Sequence, residues 1–393
     1  MLCACSENSL TQRAQRELQG TEEHLLLFSP LSLWLCVRLP FVVLAALIVA
    51  ACGGGELKTR VAGAGDTLSV AERAKIAGSI VFSSKRHGNA ELYRIRPTGT
   101  PLLRMTNSPE VDDFTGPLSP DGREMVGVAA RRLSAAVRLS QLVVVPLAGG
   151  AARPVGARGV RVRSPSWSRD GRWVVYESDS ASFRDLYRAS RDGGAPVRLT
   201  DNPEGNYSPE VSPSGEWVIF HSSRTRDGLQ IFRMRADGSA PERLTHDARD
   251  HWGARWSPDG RRIVFVSDRQ GADRLWVMDA DGGNQRRLTR EDTLPGTVEA
   301  QPVWSPDGRI AYVLKRSGQP ARIRIQDGVR VREVHAGAKG GDDTPAWSRD
   351  GRYLAFVSTR DGNAELYLAR ADGSRPTRLT NADGDDFDPV WAP

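Results

Sequence analysis

Short runs of alternating apolar and polar residues return along most of this chain, always in the same company. WVVYES, WVIFHS, RIVFVS, RIAYVL and YLAFVS are rich in β-branched and aromatic residues, the composition of strands with one or both faces buried. Ahead of each stands a turn of the form S-[PR]-[DS]-G. Pro presets φ there, Asp bonds its own backbone, and Gly accepts positive φ. An Arg- and Gly-rich loop follows, then in most units a second run (DLYRAS, QIFRMR, RLWVMD, ELYLAR), a DGG or DGS turn, and a short run closing in RLT. With the residues in front of the turn (PSWS, ARWS, PVWS, PAWS) the unit amounts to four strands joined by hairpins.

The turns are anchored at Ser119, Ser168, Ser212, Ser257, Ser305 and Ser348, spaced by 49, 44, 45, 48 and 43 residues. A period of that size marks a circular or stacked repeat of four-stranded units. The second-strand runs begin at Ile80, Met125, Val174, Val218, Ile263, Ile310 and Leu354, which gives seven units. The first, Ile80 to Thr106, has no strand in front of it, and the chain finishes with DPVWAP, a first strand with no unit behind it. Pairing the two closes a ring and leaves no open sheet edge. The expected fold is therefore all-β, a seven-bladed β-propeller over residues 78–393. Six blades is the rival, because the unit from Met125 to Ala157 carries VPLAGGAARPVGA in place of the usual close.

The repeated W-S-P-D-G-x-x-[IL]-[AV]-[FY]-x-S-x-R-x-G…D-G…R-L-T pattern resembles the TolB-type β-propeller repeat, a periplasmic relative of WD-repeat propellers, over about four-fifths of the chain. The resemblance implies a scaffold of the bacterial cell envelope, and proteins of that type carry a sizeable domain before the propeller. Here residues 52–77 intervene between leader and repeats and are expected to be a flexible tether with a helical turn or two around Val70 to Ile76.

All four cysteines, Cys3, Cys5, Cys36 and Cys52, precede residue 53, so the repeats can form neither a disulfide nor a Cys-ligated metal site. The apolar run LPFVVLAALIVAA follows Arg38 and is short for a bilayer span, as in a secretory leader. Val49-Ala50-Ala51-Cys52 resembles a lipobox, which implies removal of residues 1–51 and a diacylglycerol anchor on Cys52. Attachment to the outer membrane is expected where the cell has two membranes.

With 39% hydrophobic and 26% charged residues the composition is globular, and the net charge of +6 is taken as a solvated surface. No basic stripe with interleaved aromatics is present, so nucleic-acid binding is not expected.

Residues found at one place in every unit are expected to be structural. Trp167, Trp256, Trp304, Trp347 and Trp391 are expected to pack between blades, and Arg86, Arg224, Arg269, Arg316 and Arg360 to pair with anchor-turn carboxylates. Candidate site residues lie before the first strands. Six positions ahead of an anchor Ser, or of Ala392, stand Asp113, Asn206, His251, Glu299, Asp342 and Asp386, with Val162 the exception. Mostly carboxylates, they would ring one channel mouth with negative potential and draw a cation or a Lys- or Arg-bearing peptide. The competing reading is that each caps its own turn. Tyr207, Trp252 and Phe387 near the same mouth offer stacking platforms.

His246, Asp247, Asp250 and His251, with His221, match no metal-ligand spacing, and no metal or cofactor is expected. G-x-S-x-G, H-E-x-x-H and phosphate-binding glycine loops are absent from the sequence. The reading is a monomeric, non-enzymatic envelope lipoprotein that binds a protein or peptide at one channel mouth. The alternatives are a polysaccharide-lyase-like enzyme with His221 and His251 in its channel, or a carbohydrate-binding module.

Overall fold

The structure is a computed structural model and describes residues 67–393 apart from 133–137, 182, 290–295 and 335–338. The leader and Cys52 lie outside the described residues. Seven antiparallel four-stranded sheets follow one another along the chain. The unit that left six blades open is a full sheet: Asp112–Phe114, Glu124–Arg132, Arg138–Pro146 and Arg153–Val160. Its apolar alternation survives the loss of the usual turn motif, and Val126, Leu142 and Val144 are fully buried.

Blade one is built from both ends of the described chain. Strand β1 (Ser79–His87) pairs on one side with β2 (Asn89–Ile95) and on the other with the final strand, β28 (Asp386–Ala392). Ile80 lies opposite Trp391 and Val81 opposite Val390. Gly78 must be glycine at this seam: its φ is +89°, and a Cβ there would stand 2.4 Å from the Ala392 carbonyl oxygen.

Each repeated residue type has a recurring task. In the anchor turns of Ser119, Ser257 and Ser348 the hydroxyl donates to the Asp two residues on, at 2.5 to 2.6 Å. The same oxygen accepts the N–H five residues on, as from Glu124, Arg262 and Tyr353. The tryptophans are wedged between blades as expected. Trp167, Trp256, Trp304 and Trp347 donate their indole N–H to carbonyls in or beside the first strand of the preceding blade, those of Pro117, Glu210, Arg255 and Val303, at 3.0 to 3.3 Å. The Thr of RLT accepts a third-strand N–H: Thr106 from Leu92, Thr200 from Leu186, Thr245 from Ile231 and Thr380 from Leu366, all at 2.9 Å.

Residues 67–77 differ from the expected free tether. A short helix, α1 (Val70–Ala74), is capped by Ser69, and Leu68 and Ile76 on either side of it are buried in the core shared with Ile80, Ile95 and Leu379. Glu72 binds Arg370 at 2.8 Å and Arg375 at 3.3 Å. The two apolar residues fix the segment, because packing them against the first blade takes their surface out of water, which a free tether would leave exposed. No helix among the described residues is long and apolar enough to cross a membrane.

Candidate functional site

The first strand of each blade is the inner one, since first strands of neighbouring blades pack against each other around the axis. One end of these strands carries the candidate residues. Blades three to seven open with Val162–Trp167, Asn206–Val211, His251–Trp256, Thr297–Trp304 and Asp342–Trp347, and β28 supplies the inner strand of blade one.

The negative ring is not there. Asp113, Asn206, His251, Glu299, Asp342 and Asp386 are all buried, none more than 3% exposed, and they point into the blades. Four of them receive the arginine of the S-x-R loop in their own blade. Arg86 Nη2 donates to both oxygens of Asp386 at 2.8 and 3.0 Å, and Arg360 Nη2 to Asp342 at 2.9 Å. Arg224 Nη2 donates to Asn206 Oδ1 at 2.8 Å, and Arg269 lies 3.4 Å from His251 Nδ1. The arginines thus pair with first-strand residues rather than with the anchor-turn carboxylates expected from sequence.

Each of these arginines is held on two more sides. Its Nε donates to the Ser two residues back, as from Arg86 to Ser84 and from Arg360 to Ser358, both at 2.8 Å. Its guanidinium lies over an aromatic ring of the third strand: Tyr93, Phe232, Trp276 or Tyr367 at 4.1 to 4.7 Å. Burial pushes the carboxyls of Asp113, Asp342 and Asp386 upward, against the pull of the arginines on the last two. Glu299 instead reaches the preceding blade, accepting from Leu275 N at 2.9 Å and Thr289 Oγ1 at 2.5 Å. The exception proves the pairing: blade three has Val162 in place of the acceptor and Ser180 in place of the arginine.

The residue one step further along lies on the other face of the inner strand. Phe114, Arg163, Tyr207, Trp252, Ala300, Asp343 and Phe387 are half-buried where their predecessors are buried. Strand alternation makes a one-residue error a change of face. Tyr207, Trp252 and Phe387, the stacking platforms read from the sequence, are all at this position, and the Phe114 ring lies 6.2 Å from that of Phe387. Arg163 and Asp343 are the charged members of this set.

Next comes a bulge on the inner strand. Ser164, Ser208, Gln301, Thr344 and Asp388 hold φ between 46° and 52°, a conformation costly for residues with a side chain, and Gly253 takes it at 63°. The bulge turns backbone N–H groups toward neighbouring blades, where Ser208 N donates to Glu177 at 2.7 Å and Thr344 N to Gln301 at 3.2 Å.

Deeper along the axis, Glu210 accepts from Trp256 N at 3.2 Å and lies 4.0 Å from Arg255. Burial lifts its carboxyl to about 7. His221 stacks on Tyr207 at 5.4 Å between centroids, with Arg184 5.0 Å from the Tyr207 ring. Burial, with Arg255 and Arg184 nearby, lowers its imidazole to about 3, so it stays neutral. His251 is tied to Asp247 at 2.8 Å, and Asp250 accepts from Leu229 N. Among the described residues no group of three or more His, Cys, Asp or Glu side chains is placed to hold a metal ion.

A closed ring of seven sheets, with its charge pairs folded inward and an aromatic and polar rim at one end of the axis, defines a β-propeller that offers a surface. The profile of the TolB β-propeller domain matches residues 203–327 and 298–393, and the chain belongs to the TolB-type β-propeller family.

An uncharacterized protein of Agrobacterium fabrum is 36% identical over 228 residues, which is 58% of this chain and 62% of that one. The Tol-Pal system protein TolB of Francisella tularensis is 28% identical over 200 residues, 50% of this chain and 46% of its own length. The chain thus spans 46% to 62% of the length of these two relatives. The crystal structure of TolB from Acinetobacter baumannii superposes with a TM-score of 0.52 at 20% identity, covering 83% of this chain and 86% of that one, which is a likeness of fold.

Proposed function

We propose that the protein is a non-enzymatic scaffold of the bacterial cell envelope that binds a protein partner at the rim carrying Phe114, Tyr207, Trp252 and Phe387. The observation that carries this reading is the half-burial of those four rings on one rim, next to a layer of residues in which every polar side chain is turned inward. Rigid aromatic rings with little rotamer entropy to lose are the side chains that anchor protein interfaces. Support also comes from the TolB repeat and from a relative named as a Tol-Pal system protein. In the same reading Cys52 carries a lipid that holds the propeller in the periplasm, at the outer membrane of a two-membrane cell. The lyase-like alternative has less support, because His221 and His251 are buried and engaged within their blades.

Two experiments test the reading. A photoreactive amino acid placed at Trp252 or Phe387 in living cells is expected to give protein adducts, and one at Arg172, on an anchor turn, is expected to give none. Adducts only from Arg172 would reverse the assignment of the binding end. For the anchor, Cys52→Ser is expected to move the protein from the membrane fraction to the soluble periplasm, and unchanged membrane association would remove the lipid from the account.

A further inference from the structure

The chain's positive charge is concentrated on blade two and the start of blade three. Residues 125–169 contain eight arginines and no Asp, Glu or Lys, so this stretch alone exceeds the +6 of the whole protein. The fold then sorts it. Arg153 turns to the far end of blade two and pairs with Glu124 at 2.8 Å. Arg131 and Arg132 ride on a hairpin that runs past the Asp112–Ala130 pair at the mouth end, and Arg158 and Arg161 follow on the outer strand and the crossing to blade three. All four are exposed.

This rim adjoins a cleft of about 550 Å³ lined by Leu139, Val160, Arg161, Phe183, Arg184 and Tyr207, among others. It sits where blade three has Val162 and Ser180 in place of the buried acceptor and its arginine, and a separate cluster of charges gathers beside them. Asp179 is 3.9 Å from Arg161, 4.0 Å from Arg163 and 3.3 Å from Arg184, and Glu177 is 3.6 Å from Arg184. Three guanidinium groups therefore share two carboxylates. The Arg163 guanidinium is pushed below its usual range by burial and by Arg184. Phe183, 50% exposed, stands at the edge.

We infer that this cleft and the arginine rim beside it receive an acidic, apolar-spaced segment of a protein partner. The inference deepens the proposed function and rests on it, with the opposite sign of charge from the one expected of the mouth. A carboxylate-bearing peptide supplies the counter-charges that Asp179 and Glu177 leave unmet, and its apolar residues cover Phe183 and Tyr207. A uniform polyanion fits less well, because two acids and an exposed phenyl ring interrupt the arginine surface.

The test uses the full-length chain and a short fluorescein-labelled peptide of repeating Glu-Asp-Leu-Ser, with a Lys-Arg-Leu-Ser peptide and a single-stranded oligonucleotide as comparisons. Arg132→Gln, Arg158→Gln and Arg161→Gln are combined in one variant, all at exposed positions so that folding is spared. Arg123→Gln, Arg172→Gln and Arg261→Gln, at the anchor-turn end, are combined as the control. The first variant is expected to weaken binding of the acidic peptide by about fivefold or more and to flatten its salt dependence, with the control unchanged. A smaller loss, an equal loss in the control, or tighter binding of the oligonucleotide or the basic peptide would overturn the inference. Those results leave the crosslinks from Trp252 and Phe387 untouched, so the charge of the partner and the location of the rim fail separately.

Discussion

Replacing Asp386 by Ala tests the inward-turned charge pair at the place where the ring is sewn shut. Asp386 is fully buried and receives Arg86, whose side chain is 15% exposed, across 300 residues of sequence. Without the carboxylate the guanidinium keeps Ser84 and the ring of Tyr93 but loses its counter-charge, which costs about 3 kcal/mol, the lower end for breaking a buried pair. Urea unfolding followed by tryptophan emission measures it, and a thermal scan is expected to drop by roughly 6 °C, taking about 2 °C per kcal/mol for a domain of this size.

The informative comparison is the double replacement Asp386→Val with Arg86→Ser, which copies what blade three already has at Val162 and Ser180. Removing both charges together avoids the stranded guanidinium, so the double variant is expected to be more stable than Asp386→Ala alone. If Asp386→Ala falls within about 1 kcal/mol of the parent, or the double variant is the less stable, the pair is not the latch described here.

Four further outcomes are expected. Gly78→Ala should destabilise by at least about 2 kcal/mol in the same unfolding assay, because its positive φ and the nearby Ala392 carbonyl both oppose a Cβ. Trp256→Phe keeps the wedge but removes the N–H bond to Glu210 O, and should cost about 1 kcal/mol. Glu210 is protonated more readily folded than unfolded, its carboxyl lying near 7 against 4.5, so folding stability should fall as pH rises from about 4.5 to about 7 and level off above. Unfolding midpoints across that range should lose this component, at most about 3 kcal/mol, in Glu210→Gln. His221 runs the other way: its imidazole is depressed to about 3 from 6.5, so its contribution is present above pH 6.5 and lost on acidification, and His221→Phe should flatten that loss.

The fold was legible because turn chemistry and strand period are local properties, and here they repeat. Ser-x-Asp-Gly followed by a β-branched run means the same thing at Ser119 and at Ser348, and the unit short of a strand at one end matches the spare strand at the other. The exposure of the candidate ring residues was not legible: they are buried. Asp113 and its counterparts look like a ring when aligned, but alignment does not say which face of the inner strand they occupy, and a bulge at the third position shifts the register that would have decided it. One signal was available: where Val162 replaces the acceptor, the S-x-R arginine is also gone, as buried partners would require. The arginine-rich, acid-free stretch was equally visible, and was passed over because its charge was averaged into the total. Leu68 and Ile76 were missed because two apolar residues flanking one helical turn carry too little periodicity to announce burial.

Sharing blade one between the two ends of the described chain makes the molecule an auditor of its own synthesis. Any polypeptide halted before Asp386 leaves Ile80 and Val81 facing solvent along an unzipped edge and strands the Arg86 guanidinium. An incomplete product thereby keeps an open sheet edge prone to aggregation, and only a chain translated through Asp386–Ala392 closes blade one.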